Sequence, residues 1–177
     1  VHIIEHVRLF AWEAGKPEMS RVDVNDVVGS ASGLVSSQLN SRGIDVLFEL
    51  TRPLPKVRAN PYSLEEVLIN ILSNARDALA DTPESGPART IRILTGERVR
   101  RGDQKVTIDI IDTGHGIATD VLARVLEPFY TTKEPGAGTG LGLSVSHSIV
   151  EQFGGRLEIE STVGVGTTVR VSLPVAT

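Results

Sequence analysis

The sequence predicts an α/β domain, a two-layer sandwich with helices packed on one face of a mixed or mostly antiparallel sheet. Three observations predict it. Apolar periods of three to four residues mark helices at Val1–Ala14, Asp23–Ser41, Asn60–Leu79 and Leu141–Phe153. Shorter alternating runs fall between them as strands, most of them in hairpin-like pairs. Glycines concentrate late in the chain, between Gly136 and Gly166, where tight turns or backbone brought close to a ligand are expected.

The elements follow in order. Ile3, Ile4, Val7, Phe10, Ala11 and Ala14 give the first segment a helical stripe, which Gly15 and Pro17 end. It has little around it to pack against, so residues 1–14 are expected to be the tail of a helix from a preceding domain. Residues 15–22 are then a linker and residues 23–177 the domain itself. The chain starts at Val1 rather than Met, which suggests a piece of a longer protein. A helix capped by Asp23 or Asn25 runs to about Ser41 and stops at Arg42-Gly43. Ile44–Leu50 reads as a strand, broken by Pro53 and Pro55.

The next helix is the clearest element. Asn60 suits the N-cap, and Pro61 suits the first helical position, where its missing N–H costs nothing. Leu64, Val67, Leu68, Ile71, Leu72, Ala75 and Leu79 form one apolar stripe. Residues 81–87 read as a loop. Thr90–Val99 and Lys105–Ile111 read as strands joined at Arg101-Gly102-Asp103, and a short helix covers about Thr119–Val125. Glu127–Thr139 has no period and holds Pro128, Pro135, Gly136 and Gly138; a loop of that length inside a compact domain is usually functional. The helix after it ends at Gly154-Gly155. Strands Arg156–Ser161 and Thr167–Leu173 then close the chain around Gly164-Val165-Gly166.

Composition narrows the function. Net charge is −4, aromatic residues are 4% of the 177, and no long basic run occurs, so nucleic acid is not the expected partner. No apolar stretch approaches the ~20 residues of a membrane span, so no membrane contact is expected in this fragment. There are no cysteines, which excludes disulfides and thiolate metal sites and fits a reducing cytoplasm.

Four constellations carry chemistry. Asn70, Asn74 and Asp77 share one helix face, and a carboxamide oxygen is a hard ligand suited to Mg²⁺ when phosphates supply the charge; the alternative is a solvated helix edge. Asp112-Thr113-Gly114-His115-Gly116-Ile117 leaves an apolar strand, and a buried carboxylate there can accept from an exocyclic amine such as adenine's; the alternative is an Asx turn. Gly136-Ala137-Gly138-Thr139-Gly140-Leu141-Gly142-Leu143 runs into a helix, whose free N–H groups suit phosphate; the alternative is a flexible linker. Lys133 lies on the loop before it, where it could close over phosphates or be an ordinary surface lysine. The glycine run is neither a Walker loop, the dinucleotide fingerprint nor the eukaryotic protein-kinase set.

Order and spacing make these motifs specific. Asn70-Ile71-Leu72-Ser73-Asn74-Ala75 resembles the N box of sensor histidine kinases, and Asp112–Ile117 their first glycine box. Glu127-Pro128-Phe129-Tyr130-Thr131-Thr132-Lys133 resembles the F box of nitrogen- and dicarboxylate-sensing kinases. Gly138-Thr139-Gly140-Leu141-Gly142-Leu143 and Gly164-Val165-Gly166-Thr167 resemble the second and third glycine boxes. The match covers about Asn60 to Pro174. It implies the Bergerat ATP-binding fold of the GHKL superfamily, with ATP held between helices and sheet.

By that resemblance, Asn74 is the Mg²⁺ ligand, Asp112 bonds the adenine amine, and Gly114, Gly116 and Ile117 shape the adenine pocket. Asn70 and Asp77 line the pocket beside the metal. Lys133 lies near the phosphates, which Gly138, Thr139, Gly140, Leu141 and Gly142 embrace, and Thr167 supports the adenine end. Asn70, Asn74 and Lys133 are the residues implied in catalysis. The superfamily's ATPases carry a glutamate where Asn70 stands; asparagine cannot be a general base, so transfer rather than fast hydrolysis is implied.

The implied partners are a histidine-bearing dimerisation domain, in cis or trans, and a response-regulator receiver domain. The location the resemblance implies is cytoplasmic, whether or not the parent protein is membrane-anchored. The phosphoacceptor is not found here: His2, His6, His115 and His147 are followed by Ile3, Val7, Gly116 and Ser148, none of them acidic as the family's H-E or H-D motif requires. Leu9-Phe10-Ala11-Trp12 resembles the end of the second dimerisation helix, and Asn60 stands where many relatives carry Asp. Two other functions stay open at this point: a serine kinase of the anti-sigma-factor type, and a regulatory module that binds nucleotide and transfers nothing.

Overall fold

The structure, a computed structural model, describes residues 18–80, 88–100, 102–133 and 138–176. The expected first helix, Val1–Ala14, and the 81–87 loop lie outside these residues, as do 134–137 of the long glycine-containing loop.

Helix α1 spans Val24–Asn40, and the Asp23 side chain caps it by accepting the Asn25 N–H at 2.9 Å. Gly43 follows with φ +62. Helix α2 spans Pro61–Ala80. Its cap is Asn60, whose Oδ1 accepts the Ser63 N–H at 2.9 Å. The whole predicted stripe from Leu64 to Leu79 is buried. The short helix α3 is Thr119–Leu122, and α4 is Gly142–Gln152.

Five strands form the main sheet: β2 (Asp45–Leu50), β4 (Thr90–Arg100), β5 (Asp103–Asp112), β6 (Arg156–Thr162) and β7 (Gly166–Pro174). Their spatial order is β2-β4-β5-β7-β6, with β2 parallel to β4 and all other neighbours antiparallel. The sheet is therefore mixed, as predicted. Alternation decides its two faces. Ile91 and Ile93 of β4, Val106, Ile108 and Ile110 of β5, and Val169, Val171 and Leu173 of β7 are buried with the helices. The opposite face carries charge: Arg170 Nε and Nη2 bond both oxygens of Asp109 at 2.7 and 3.0 Å. Helix α2 lies between α1 and α4 and contacts β5, while α4 contacts β6.

One expectation is corrected. Residues 15–22 were to be linker, but Ser20–Val22 form strand β1, antiparallel to β3 (Val57–Ala59). Both strands are three residues long, too short to show alternation, and the pairing is non-local. Val22, Val57 and Ala59 are buried by it.

Leu68, 1% exposed in the centre of the stripe, should be among the most sensitive positions. Leu68→Ala is expected to destabilise the domain by about 2–5 kcal/mol, read from the midpoint of urea unfolding at unchanged slope.

Candidate functional site

Asp112 ends the central strand β5 with its side chain on the helix side of the sheet, 6% exposed. Its Oδ1 accepts two backbone N–H groups, Gly114 at 2.9 Å and Thr167 at 3.3 Å. Burial pushes the Asp112 carboxyl above the ordinary carboxylate range, and these two bonds, with the field of His115, only partly oppose that. No partner within the described residues engages Oδ2. The site thus holds a buried carboxylate with one oxygen fixed and the other free to accept.

Glycine geometry brings the backbone of α2 and the β6–β7 hairpin close to this carboxylate. A Cβ on Gly114 would lie 2.8 Å from the Ala78 Cβ of α2. Gly116 has φ +72, and a Cβ there would collide with the Thr162 carbonyl. Ile117 donates its N–H to Ser161 Oγ at 2.8 Å. Ser161 also bonds the Gly166 carbonyl at 3.0 Å and Thr167 Oγ1 at 2.9 Å. Thr167 is the cross-strand partner of both Asp112 and Ser161.

The polar face of α2 runs from this region towards α4. Asn70 donates from Nδ2 to Ser146 Oγ at 3.3 Å and to the Gly142 carbonyl at 3.5 Å. Its carboxamide therefore ties α2 to the start of α4. Asn74, one turn on, is half-buried, and no hydrogen bond to a described residue engages its side chain. Asp77 is surrounded by cations: Lys133 Nζ at 2.6 Å, Arg76 Nη2 at 2.7 Å and Arg42 Nη1 at 3.9 Å. Burial raises the Asp77 carboxyl, but the bonds and charges of Lys133 and Arg76 outweigh it and hold the group below the usual range.

The glycine-rich loop reaches α4 through Leu141, whose N–H bonds Thr139 Oγ1 at 3.4 Å. No side chain caps α4, which leaves its first-turn N–H groups without a side-chain acceptor. Gly140 accepts the Phe129 N–H at 2.9 Å, so the F-box segment and the glycine loop are joined. A Cβ on Gly138 would touch the Lys133 side chain at 3.0 Å.

These contacts connect α2 with the end of β5, with the segment around Lys133 and with the start of α4, and β5 with the β6–β7 hairpin; the space they border is the candidate cleft. Ser161, Ser146 and Arg76 were missed. Ser161 could have been found by counting back across the Gly164–Gly166 turn from Thr167. Ser146 and Arg76 carry no such signal, since their partners are set by packing.

The donor set can be tested for a metal and a nucleotide. Among the described residues no three His, Cys, Asp or Glu side chains cluster as a metal cage. An unpaired carboxamide and an uncapped helix start instead fit a hard cation that brings its own phosphate oxygens.

Comparison with known proteins decides the family. Residues 59–177 match the profile described as "Histidine kinase-, DNA gyrase B-, and HSP90-like ATPase". The chain belongs to this family. The sensor histidine kinase ZraS of Escherichia coli (strain K12) is 38% identical over 157 residues, covering 89% of this chain and 31% of ZraS. The catalytic domain of histidine kinase ThkA, in a nucleotide-free form, superposes with a TM-score of 0.73 at 26% identity, covering 89% of this chain and 95% of that domain. Full-length ShkA in complex with AMPPNP gives a TM-score of 0.77 at 25% identity, over 98% of this chain and 35% of ShkA. The chain spans less than a third of the length of curated relatives such as ZraS and CckA of Brucella abortus.

The raised Asp112 carboxyl makes a stability prediction with a definite sign. A group whose pKa rises on folding favours the fold at acid pH and loses that contribution as pH climbs through the folded value. Asp112→Asn keeps an oxygen for Gly114 and Thr167 and removes the charge. It should melt at a higher temperature than the parent, by a margin that widens from acid to neutral pH in thermal scans without ligand.

Proposed function

We propose that this chain is the catalytic ATP-binding part of a sensor histidine kinase. It binds Mg-ATP and presents the γ-phosphoryl group to a histidine on a dimerisation domain, in cis or trans, from which a response-regulator aspartate takes it. The working domain includes strand β1, Ser20–Val22, and the cytoplasm is its place. One observation carries the reading. A buried carboxylate with a free oxygen stands at one end of the polar face of α2, and an uncapped helix start lies at the other.

The free Oδ2 of Asp112 accepts from the adenine amine, while Gly114 and Gly116 let the backbone lie flat against the base. Thr139, Gly140, Leu141 and Gly142 direct N–H groups of the loop and α4 at the phosphates, with Gly138 and Lys133 beside them. Asn74, with Asn70 and Asp77 on either side of it, would hold Mg²⁺. When bound, the metal neutralises phosphate charge and orients the terminal group for in-line attack. The acceptor imidazole nitrogen forms the new bond to phosphorus as the bond to the β–γ bridging oxygen breaks and ADP departs. Asn70 withholds a general base, so water is not activated in competition. AMPPNP is named with the structural neighbour ShkA, and sensor kinases recur among the sequence relatives, both of which support the assignment.

Incubation with γ-labelled ATP and a separate dimerisation domain should place acid-labile phosphate on histidine. Acid-stable phosphoserine on a protein partner would instead indicate the anti-sigma-factor type. Nucleotide binding with no transfer would indicate a regulatory module. In calorimetry, Asp112→Asn should weaken Mg-ATP binding by at least about tenfold, the loss of one charge-assisted bond. Unchanged affinity would refute its adenine role. Asn74→Ala should make ATP affinity nearly independent of Mg²⁺.

A further inference from the structure

We propose that Ser161 is a positioning residue that sets base specificity by fixing the direction of the Thr167 hydroxyl. The inference rests on the nucleotide reading above and adds to it a residue, Ser161, outside its motifs.

Hydrogen counting leads to it. Ser161 Oγ accepts the Ile117 N–H at 2.8 Å. It lies 3.0 Å from the Gly166 carbonyl, which can only accept, and the single Ser161 proton is assigned to that carbonyl in this proposal. Either hydroxyl could donate in the contact of 2.9 Å between Ser161 Oγ and Thr167 Oγ1; with the Ser161 proton on the Gly166 carbonyl, Thr167 is the donor. Thr167 has one proton, and it is spent. Its oxygen therefore presents only lone pairs to the cleft. The residue is 7% exposed and cross-strand to Asp112, so it lines the same end of the site.

The consequence concerns which base fits. A carboxylate alone does not discriminate among purines: Asp112 Oδ2 can accept from the exocyclic amine of adenine or from the ring N1–H of hypoxanthine or guanine. A second acceptor beside it does discriminate. Two acceptors match an amine with two N–H groups. A 6-oxo purine would set its carbonyl oxygen against Thr167 Oγ1, lone pair to lone pair, in a site where neither finds a proton. If Ser161 were absent, the Thr167 proton would be released, and Thr167 could turn and donate to that carbonyl.

The test is calorimetric binding of Mg-ATP and Mg-ITP, which differ at the six position, to the wild-type chain and three variants. The wild-type chain should prefer ATP. Ser161→Ala should narrow the ATP-to-ITP affinity ratio by about tenfold, mainly by improving ITP, while Ser161→Thr, which keeps a hydroxyl, should restore the wild-type ratio. Thr167→Val, which keeps the shape and removes the oxygen, should also narrow the ratio, here by weakening ATP; it serves if Ser161→Ala does not fold. A proportional loss for both nucleotides in Ser161→Ala, with Thr167→Val at the wild-type ratio, would overturn the proposal and leave Ser161 a strut of the hairpin. Absence of binding of either nucleotide by the folded wild-type chain would overturn the nucleotide reading itself, a result distinct from equal binding of both, which would remove only the specificity role.

Discussion

The arrangement depends on keeping one carboxylate ionisable inside the sandwich. Asp112 loses most of its water, and two backbone amides, from Gly114 and Thr167, stand in for part of it. Those two donors come from the loop after β5 and from the start of β7, so both must approach the same oxygen. That requirement fixes the neighbourhood. Gly114 lies against Ala78 with no room for a Cβ. Gly166 passes the Asp112 carbonyl so closely that any side chain would collide with it. The strand order matters for the same reason: β5 is central, with β4 on one side and β7 on the other, so the loop after β5 and the start of β7 converge at one edge of the core.

Helix α2 then links this point to the rest of the cleft. Its apolar stripe is wholly buried, which holds its azimuth and so aims the polar face at the cleft. Along that face the polar groups are treated unequally. Asn70 is tied to α4 and Asp77 is crowded by cations, while Asn74 is left without a hydrogen-bond partner among the described residues. The unpaired carboxamide and the uncapped start of α4 are both departures from local optimum. Such departures concentrate at functional sites because a ligand, rather than the fold, completes them.

Much of this was legible in the sequence. The α2 stripe, its Asn60 cap and its boundary at Pro61 could be read because local chemistry and the 3.6-residue period agree over 20 residues. The glycine boxes could be read because positive φ and close approach leave few substitutes. The rest depended on distant partners. Strands β1 and β3 exist through each other, and three residues cannot announce a period. Lys133 could be placed on a functional loop, but its partner Asp77 lies 56 positions away, and nothing local selects it. Ser161 can be reached by counting across the hairpin from Thr167, but its bond to the Ile117 N–H, 44 positions away, is set by packing alone.

The polarity of the cleft gives a ligand its direction. Asn70, at the start of α4, and Ala78, against Gly114, are eight residues apart on α2, about 12 Å at the helical rise. At the Ala78 end the open groups are acceptors, from Asp112 and Thr167. At the Asn70 end they are donors, the first-turn N–H groups of α4 with the positive end of its dipole. A molecule with an amine at one end and an anionic group at the other fits in one orientation and is repelled in the other. The reacting end is thereby delivered to the loop side of the domain, beside a carboxamide that cannot deprotonate water. In the proposed reaction, chemistry there needs a nucleophile that is already basic at neutral pH and arrives from outside the cleft, which an imidazole on another domain would satisfy and bulk water would not.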